Sequence, residues 1–333
     1  MSDSATLGLT GDVMLGRLVN RKQKRTERGV EHVWGSLLDE LKRLDGLLIN
    51  LECCLSKRGE KWTKTYRPFH FRADPEWAVP ALKKAGVEWA NLANNHLMDY
   101  GEVALLDTLD NLSEVGIDHS GAGEDIKDAF QPAFVSVDGL DIGFLSLTDN
   151  TPEYSAGPNC PGIAHAEIDK GDDETRSRVD QTLSEIHERN PDLVVASLHW
   201  GPNMREAPSD EFQDFAHWLV EKGVDLIHGH SAHIFQGVEV YDGSLVLYDT
   251  GDFVDDYKVD EELRNDRSFL FKIKVNGGEI NELRLLPTEI YDFAVHEADG
   301  HAAEWSRSRM RRLSEAFGTQ FTQDGEELVL SVD

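Results

Sequence analysis

Residues 5–12 read ATLGLTGD, a short apolar run that closes with a glycine and a carboxylate. An apolar run followed at once by a polar motif is typical of a β-strand that delivers a side chain to the edge of a sheet. The same pattern returns four times along the chain, and amphipathic stretches of helical period lie between these runs. Strands that alternate with helices indicate an α/β fold, with a site at the carboxyl ends of its strands.

Five predicted strands end in side chains that commonly bind metal ions. These are Asp12 after Ala5–Leu9, Glu52 after Gly46–Asn50, Asn95 and His96 after Val87–Leu92, His199 after Leu193–Leu198, and His230 and His233 after Val224–Ile227. Carboxylate, amide and imidazole donors together suit Mn, Fe or Zn, whereas Mg would not need three histidines. A single histidine of this kind is more often a structural residue than a metal ligand. A purely structural explanation would, however, need a separate reason for the polar residues at each of the five strand ends. The sequence therefore predicts a site for one or two divalent metal ions.

The remaining segments complete a single predicted domain. Further strands are expected at Phe134–Val137, Ile142–Leu147, Leu245–Tyr248 and Leu328–Val332, a hairpin at Phe269–Val275 and Ile280–Leu286, and helices at Val33–Leu44, Pro75–Ala85, Val103–Val115, Asp173–Arg189, Asp210–Lys222 and Ala302–Phe317. No internal repeat or low-complexity linker divides them. We therefore predict a domain over residues 1–288, with residues 289–333 as an appendage that packs on it.

The chain is strongly acidic, because 62 acidic residues outnumber 33 basic ones, and the net charge is −29. Nucleic acid and anionic lipid need clustered positive charge, so neither is expected as the main partner. No apolar run approaches the ~20 residues that cross a bilayer, and the first nine residues lack the pattern of a secretory leader. Three cysteines cannot form a disulfide framework and are expected as small buried residues. These features predict a cytoplasmic protein without a membrane span.

Two basic segments follow the first and second metal motifs. They hold eleven of the 33 basic residues, namely Arg17, Arg21, Lys22, Lys24, Arg25 and Arg28, then Lys57, Arg58, Lys61, Lys64 and Arg67. An exposed helix face and a surface loop would explain them equally well. The functional alternative is a positive rim that draws an anionic small molecule, a polyglutamyl chain or a peptide to the metal edge. Arg17, Lys61 and Lys64 are the predicted substrate-binding residues.

Five ordered motifs together resemble a known family. They are GDVMLGR at residues 11–17, NLE at 50–52, ANNH at 93–96 with DYG at 99–101, HWG at 199–201 and GHSAH at 229–233. Between residues 7 and 253 the chain is similar to the CapA (PgsA-like) poly-γ-glutamate capsule family, which belongs to the calcineurin-like metallophosphatase superfamily. The resemblance implies a four-layer α/β/β/α sandwich with its active site at the carboxyl ends of the strands.

The resemblance also implies a role for each motif residue. The implied ligands are Asp12 and His233 for a first metal ion, Glu52 as the carboxylate shared by two ions, and Asn95, His199 and His230 for the second ion. His96 is implied as an acid that binds no metal and protonates a leaving group. In a phosphoesterase, the two ions would activate a water and hold the phosphoryl oxygens.

The chain departs from the superfamily pattern at three places. Met14 stands where the first motif usually has a histidine, and Glu52 stands where phosphoesterases use aspartate. The segment DTGDF at residues 249–253 replaces a stretch that resembles Ser-Leu-Gly-Asn-Phe in the family. Within this segment, Asp252 could support the metal ligands or could simply be a turn residue, and the turn is the favoured interpretation.

Several functions remain open at this point. The resemblance implies a metal-dependent enzyme of poly-γ-glutamate capsule synthesis. A soluble peptide epimerase of the lasso-peptide type is an alternative, and it needs two opposed acid/base groups, for which Asp12 and His296 are the candidates. A phosphoesterase is a third possibility. The non-enzymatic alternative is a metal-stabilised, partner-binding subunit of a synthase complex.

Overall fold

A computed structural model describes residues 4–25, 29–168 and 173–332, so Arg28 of the first basic segment lies outside the described residues. The strands are β1 (Ser4–Val13), β2 (Gly46–Leu51), β3 (Cys54–Leu55), β4 (Arg72–Ala73), β5 (Val87–Asn91), β6 (Asp118–Ser120), β7 (Ala122–Gly123), β8 (Ala133–Val137), β9 (Leu140–Thr148), β10 (Gly162–Ile163), β11 (Leu193–His199), β12 (Leu226–His230), β13 (Val238–Tyr241), β14 (Ser244–Leu247), β15 (Asp252–Val254), β16 (Arg267–Asn276), β17 (Glu279–Tyr291), β18 (Ala294–Glu297), β19 (Thr322–Asp324) and β20 (Glu327–Ser331).

The helices lie mainly between the parallel strands. The α-helices are α1 (Arg17–Arg25), α2 (Leu38–Leu41), α3 (Pro75–Ala85), α4 (Glu102–Glu114), α5 (Ile126–Ala129), α6 (Asp173–Glu188), α7 (Asp210–Glu221) and α8 (Gly300–Ser314), and 3₁₀ helices cover Val30–Leu37, Pro152–Tyr154 and Glu315–Phe317. Among the described residues, none of these helices combines the length and apolar character that a bilayer crossing requires.

Two sheets contain most of the strands. The larger sheet has the order β19-β20-β17-β16-β1-β2-β5-β6, with β15 beside β1 and β18 beside β17. Its strands β1, β2, β5 and β6 are parallel, and β16, β17 and β20 extend it in antiparallel fashion. The smaller sheet has the order β13-β14-β12-β11-β9-β8, with β9, β11, β12 and β14 parallel. The parallel half of each sheet therefore has one edge at which its strand ends meet.

The two sheets pack face to face through a shared apolar core. Leu9 of β1 and Val195 of β11 belong to this core, and the Trp89 ring stacks on the Phe144 ring with 4.1 Å between centroids. Alternate residues of a strand point to opposite faces. The other face of the larger sheet therefore packs with α3 and α4, and the other face of the smaller sheet packs with α6 and α7. This arrangement confirms the predicted four-layer α/β/β/α sandwich.

The C-terminal residues are built into the same layers. Strand β17 runs through residue 288, and β20 pairs with it. Met310 of α8 is fully buried in the core between the sheets. The division of the chain at residue 288 stays a prediction.

One predicted helix is wrong in type. In place of a continuous helix over Val33–Leu44, the chain forms a 3₁₀ helix at Val30–Leu37 and then the four-residue helix α2. Gly35 interrupts it with a φ of 45°, which an L-residue rarely adopts. A Cβ atom at this position would also lie 2.2 Å from the carbonyl oxygen of Val295. The close approach of β18 therefore requires the glycine and the kink.

Candidate metal centre

The ends of β1, β11 and β12 bring three of the predicted ligands together. Asp12 lies near the end of β1, opposite Asn50 in β2 and opposite Asp252 in β15. His199 and His230 are the last residues of β11 and β12 and are paired in register. Because the two sheets pack face to face, ligand atoms of Asp12, His199 and His230 all lie within 4.8 Å of one another. The strand ends that were predicted to lie at one edge therefore bring these three side chains together in the structure.

Asp12, His199 and His230 form one group, which we name the histidine pocket. Nδ1 of His199 lies 2.9 Å from Nδ1 of His230, and these nitrogens lie 3.9 and 3.8 Å from Oδ1 of Asp12. All three side chains are fully buried. Burial lowers the pKa of His199 to about 3 and lowers the pKa of His230 well below its ordinary value. Both rings are therefore neutral at pH 7, the form of histidine that binds metal.

Asp12 also belongs to a second group with Glu52, His233 and Asp252, which we name the carboxylate pocket. Nδ1 of His233 lies 2.9 Å from Oδ1 of Asp252 and 3.3 Å from Oδ2 of Asp12. Burial, and then the charge of Asp12, raises the pKa of Glu52 well above its ordinary value. Burial likewise raises the pKa of Asp252. Carboxylates this close together stay ionised only beside additional positive charge.

The unpaired polar atoms of the two pockets fit a metal ion. Three buried carboxylate oxygens of the pockets have no hydrogen-bond partner among the described residues, namely Asp12 Oδ2, Glu52 Oε1 and Asp252 Oδ2, and Oδ1 of Asn95, which belongs to neither pocket, has none either. A buried polar atom without a partner costs about 1–3 kcal/mol. Oxygen and nitrogen donors at close range are the ligands of Mn, Fe and Zn. A divalent cation would satisfy them and would offset the charge of the carboxylates.

Neighbouring polar side chains orient the predicted ligands. The Asn50 amide donates a hydrogen bond of 2.6 Å to Oδ1 of Asp12 and accepts one of 2.8 Å from the Asn91 amide. Ser197 Oγ lies 3.0 Å from Nε2 of His230, so the other nitrogen of that ring faces His199. Such partners fix the tautomer and direction of metal ligands.

The turn between His230 and His233 has a strained backbone. Ser231 has a φ of 115° and His233 a φ of 60°, a region that non-glycine residues adopt at a cost of about 1–3 kcal/mol. The Asp249 carboxylate accepts hydrogen bonds of 2.7 Å from the amide of Ala232 and 2.8 Å from that of Gly251. Asp249 therefore holds the turn that presents His233 to the carboxylate pocket.

His96 lies beside the carboxylate pocket. Its Nδ1 is 2.6 Å from Oδ2 of Asp99, and its ring stacks on Phe71 with 3.7 Å between centroids. Asp99 also accepts a hydrogen bond of 3.0 Å from the Tyr154 hydroxyl. Nε2 of His96 lies 3.9 Å from Oε1 of Glu52. The carboxylate of Asp99 therefore fixes the ring so that one nitrogen faces the pocket.

A groove of about 660 Å³ collects side chains from both basic segments, and we name it the basic groove. Its lining includes Arg17, Arg21, Lys24, Arg25, Lys61, His70, Arg72 and Tyr100. Two of the three predicted substrate-binding residues, Arg17 and Lys61, therefore face the same space. The third, Lys64, is not among the lining residues and places its ammonium 4.7 Å from the centre of the Trp62 ring.

Arg17 connects the basic groove to the metal centre. Its guanidinium lies 5.4 Å from the ring of Phe71 and 5.9 Å from that of Tyr257. Phe71 stacks on His96, and the Tyr257 hydroxyl donates a hydrogen bond of 2.9 Å to Oε2 of Glu52. Phe71 and Tyr257 therefore lie between Arg17 and the residues His96 and Glu52. A ligand in the groove that contacts Arg17 is close to the carboxylate pocket.

His296 lies in β18, away from these contacts. Its ring stacks on Tyr291 with 3.7 Å between centroids, and its Nδ1 accepts a hydrogen bond of 3.3 Å from the amide of Ser36. Among the described residues, none of its hydrogen bonds or ring contacts involves Asp12 or another member of either pocket.

Sequence analysis missed several residues of the centre. Asp252, expected in a turn, lies in β15 beside Asp12, so that prediction is wrong. A signal was present, because the tripeptide TGD occurs at residues 10–12 and again at 250–252. Gly11 permits the approach of the two copies, since a Cβ atom there would lie 1.9 Å from the carbonyl oxygen of Gly251. Asn50 and Asp99 stand in the motifs at residues 50–52 and 99–101 without a predicted role, and Tyr257 has no comparable signal in the sequence.

A family model described as "Bacterial capsule synthesis protein PGA_cap" matches residues 6–257, which include all the residues of both pockets. The chain belongs to this family. The PGA_cap match covers β1 to β15 and both basic segments, and it leaves out the C-terminal hairpin and α8. The family predicted from the motifs is thereby confirmed.

Two relatives agree with the family match. The PGA_cap protein described here is 30% identical to a "Probable polyglutamine synthesis accessory protein" of Mycobacterium tuberculosis (strain ATCC 25618 / H37Rv), over 98% of this chain and 96% of the relative. It is also 30% identical to the "Capsule biosynthesis protein CapA" of Bacillus anthracis, over 77% of this chain and 61% of that protein. A solved structure of a hypothetical protein from Thermus thermophilus is 15% identical and covers 88% of this chain and 100% of that chain, with a TM-score of 0.49.

Proposed function

We propose that this PGA_cap protein is a metal-dependent enzyme that acts on an anionic polyglutamyl chain during capsule synthesis. The observation that carries the proposal is the pair of buried ligand pockets that share Asp12, next to a groove lined by cations. Relatives named for capsule biosynthesis and for polyglutamine synthesis support the biological setting. A cytoplasmic location and a partner in a synthase complex stay predictions.

The proposed ligands are Asp12, Glu52, Asn95, His199, His230 and His233. One or two ions of Mn, Fe or Zn held there would polarise a substrate carbonyl and supply a nucleophilic water at neutral pH. The chain itself supplies the proton for the leaving group. Asp99 accepts the hydrogen bond of Nδ1 in His96, so a proton on Nε2 of that ring points towards the pocket and is positioned for general acid catalysis.

The basic groove is the proposed binding site for the substrate chain. Arg17, Arg21 and Arg25 are spaced by four residues along α1, so they lie on one face about 6 Å apart. Among the described residues, Arg21, Arg25 and Lys61 make no ion pair, which leaves their charges available. A polymer with one carboxylate per residue offers repeated charges to such a row. Arg17 then brings the chain to His96 and Glu52.

Metal content and turnover, measured on the same preparation, test the proposal. The purified protein is loaded with Mn²⁺ or Zn²⁺ and incubated with γ-glutamyl oligomers, with a generic phosphodiester, and with a peptide whose terminal residue can be inverted. We expect cleavage of the γ-glutamyl oligomers that EDTA abolishes and added metal restores. Cleavage of the phosphodiester alone would favour a phosphoesterase, and inversion of the peptide would favour an epimerase.

His96→Ala separates catalysis from metal binding. We expect this variant to keep its metal, because His96 belongs to neither pocket, and to lose turnover by roughly 10²- to 10⁴-fold. Full activity in His96→Ala would contradict the acid role. A metal-loaded wild type that transforms none of the three substrates would instead favour the partner-binding subunit.

A further inference from the structure

The resemblance to metallophosphatases assigns the carboxylate shared by two ions to Glu52. We propose that in this chain Asp12 is the shared carboxylate, and that Asp252 is a metal ligand of the carboxylate pocket. The inference rests on the metal-binding part of the proposed function, and it does not depend on the reaction.

The two oxygens of Asp12 face different pockets. Oδ1 lies 3.9 and 3.8 Å from the Nδ1 atoms of His199 and His230, whereas Oδ2 lies 3.3 Å from Nδ1 of His233. A carboxylate oxygen has two lone pairs, so Oδ1 can bind an ion and still accept the hydrogen bond from Asn50. Asp12 is also the one residue that occurs in both groups of ligands found among the described residues.

Glu52 faces one pocket only. Its Oε2 accepts the hydrogen bond from Tyr257, and its Oε1 is buried without a hydrogen-bond partner among the described residues. Its group contains His233 and Asp252 but neither His199 nor His230. Glu52 therefore serves the carboxylate pocket and is not placed to serve the histidine pocket as well.

Asp252 is placed as a ligand by the backbone. Strand β15 runs parallel to β1 with Asp252 in register with Asp12, and the amide of Asp12 donates a hydrogen bond of 2.8 Å to the carbonyl of Gly251. The two TGD copies thus deliver two aspartates side by side. Asp252 is 1% exposed, and its Oδ2 has no hydrogen-bond partner among the described residues.

The spacing of the donor atoms fits coordination of one ion. Ligand bonds of about 2.0–2.2 Å place adjacent donors of one ion roughly 3 Å apart. Nδ1 of His233 lies 2.9 Å from Asp252 and 3.3 Å from Asp12. Asp252 thereby supplies the donor that the first motif lacks, since Met14 stands where a histidine ligand is usual.

Calorimetric titration of the metal-free full-length protein with Mn²⁺ tests the inference. We expect two binding events in the wild type. Asp252→Ala and Glu52→Ala should each weaken the same single event by on the order of 100-fold, and His230→Ala should weaken the other event. Asp12→Ala should weaken both. Asp266→Asn is the control, because it removes a buried carboxylate that pairs with Arg264 and belongs to neither group, and it should leave both affinities within about twofold.

The outcomes distinguish this inference from the proposed function. One contrary result is a wild type with two binding events of which Glu52→Ala weakens both and Asp12→Ala weakens only one. That result would overturn the shared role of Asp12 and would leave the proposed metal enzyme unaffected. Unchanged affinities in Asp252→Ala would overturn the ligand role of Asp252. A wild type that binds no Mn²⁺ or Zn²⁺ would overturn both proposals. Circular dichroism verifies folding, and Asp252→Asn and Glu52→Gln replace any alanine variant that unfolds.

Discussion

The His96 ring owes its orientation to Asp99, which also accepts hydrogen bonds from the Phe71 amide and the Tyr154 hydroxyl. We expect Asp99→Asn to lower kcat roughly 10- to 100-fold, because an amide does not hold the imidazole in the same tautomer. Bound metal, measured on the same sample, should not change. Tyr154→Phe is the control, since it removes one hydrogen bond and keeps the carboxylate, and its loss should be smaller. Loss of metal in Asp99→Asn would contradict a purely orienting role.

The three cysteines differ in exposure, although all were expected to be buried. Cys53 and Cys54 are buried and Cys160 is exposed. Burial raises the pKa of Cys53 to about 12 and raises that of Cys54 well above its ordinary value, so both stay protonated and unreactive at pH 8. Titration with a thiol reagent at pH 8 should therefore modify one thiol in the native protein and three after unfolding. Rapid native reaction of more than one would contradict this burial.

Site residues were predictable where the local sequence pattern determines which other residues lie beside them in the fold. Asp12, Glu52, His199 and His230 each follow an apolar run, and parallel strands bring such positions to one edge. Asp252 follows a strand of only four residues, Ser244–Leu247, and a short turn. Its own strand, β15, is too short for an alternating apolar pattern to identify it. The role of Tyr257 depends on a contact with Glu52 that spans most of the chain, and no local pattern encodes such a pair.

Helix α1 has two charged faces with different surroundings. Arg21 lines the basic groove, whereas Lys22 pairs with Asp292 at 2.6 Å. We expect Arg21→Glu to raise KM for a γ-glutamyl oligomer by roughly threefold to tenfold at low salt, because it places a negative charge where we propose that the substrate chain binds. The kcat should stay near its wild-type value.

Lys22→Glu is the matched control for Arg21→Glu, since it makes the same charge change on the adjacent residue, outside the groove. Initial rates at low and high salt separate the two variants. The effect of Arg21→Glu should shrink at about 0.5 M salt, where the screening length falls to about 4 Å. Equal effects of the two substitutions would show that net charge, and not the groove, governs binding.

The elements that were predicted closely have explicit end signals. Helix α3 begins after Asp74, whose carboxylate accepts a hydrogen bond from the amide of Glu76, and it ends before Gly86, which has a φ of 80°. Both are ordinary helix boundaries, and the predicted range Pro75–Ala85 is confirmed. Helix α1 was anticipated only as an exposed helix face that would explain the basic segments, because Arg17–Arg25 is almost entirely polar and its apolar period is too short to detect.

On the scale of the whole molecule, Lys272 of β16 joins distant parts of the chain. Its ammonium pairs with Glu40 of α2 at 2.7 Å and with Glu327 of β20. Although burial lowers the pKa of Lys272, the two carboxylates raise it overall. The stabilisation is therefore present at pH 7 and is lost only as the pH rises through the raised pKa.

We expect Lys272→Met to lower the free energy of unfolding by about 1–2 kcal/mol, less than for a fully buried pair. The effect is limited because the partners keep contacts with water and with Arg43 and Arg284. Urea denaturation at pH 7 measures the change. Lys274→Met is a suitable control, since Lys274 lies on the same strand with its side chain exposed. Equal stability of Lys272→Met and the wild type would contradict this role.

The layers of the molecule were predictable and the strand order was not. Alternation of strands and helices is enough to indicate sheets covered by helices, and the resemblance implied four layers. The order of the strands depends on which apolar faces pack together, as Trp89 does on Phe144. The pairing of β15 with β1 joins segments from opposite ends of the family match, and no local rule of sequence specifies it.

The positions of the two TGD segments also determine the order in which parts of the candidate metal centre are synthesised during translation. The first copy leaves the ribosome early, and the second follows only after β2 to β14 have been synthesised. Until then Asp12 has no Asp252 beside it, and the left-handed turn that presents His233 has no Asp249 to hold it. The proposed cation would therefore bind only after β15 has been synthesised, and truncated products that end before residue 249 would lack part of its proposed site.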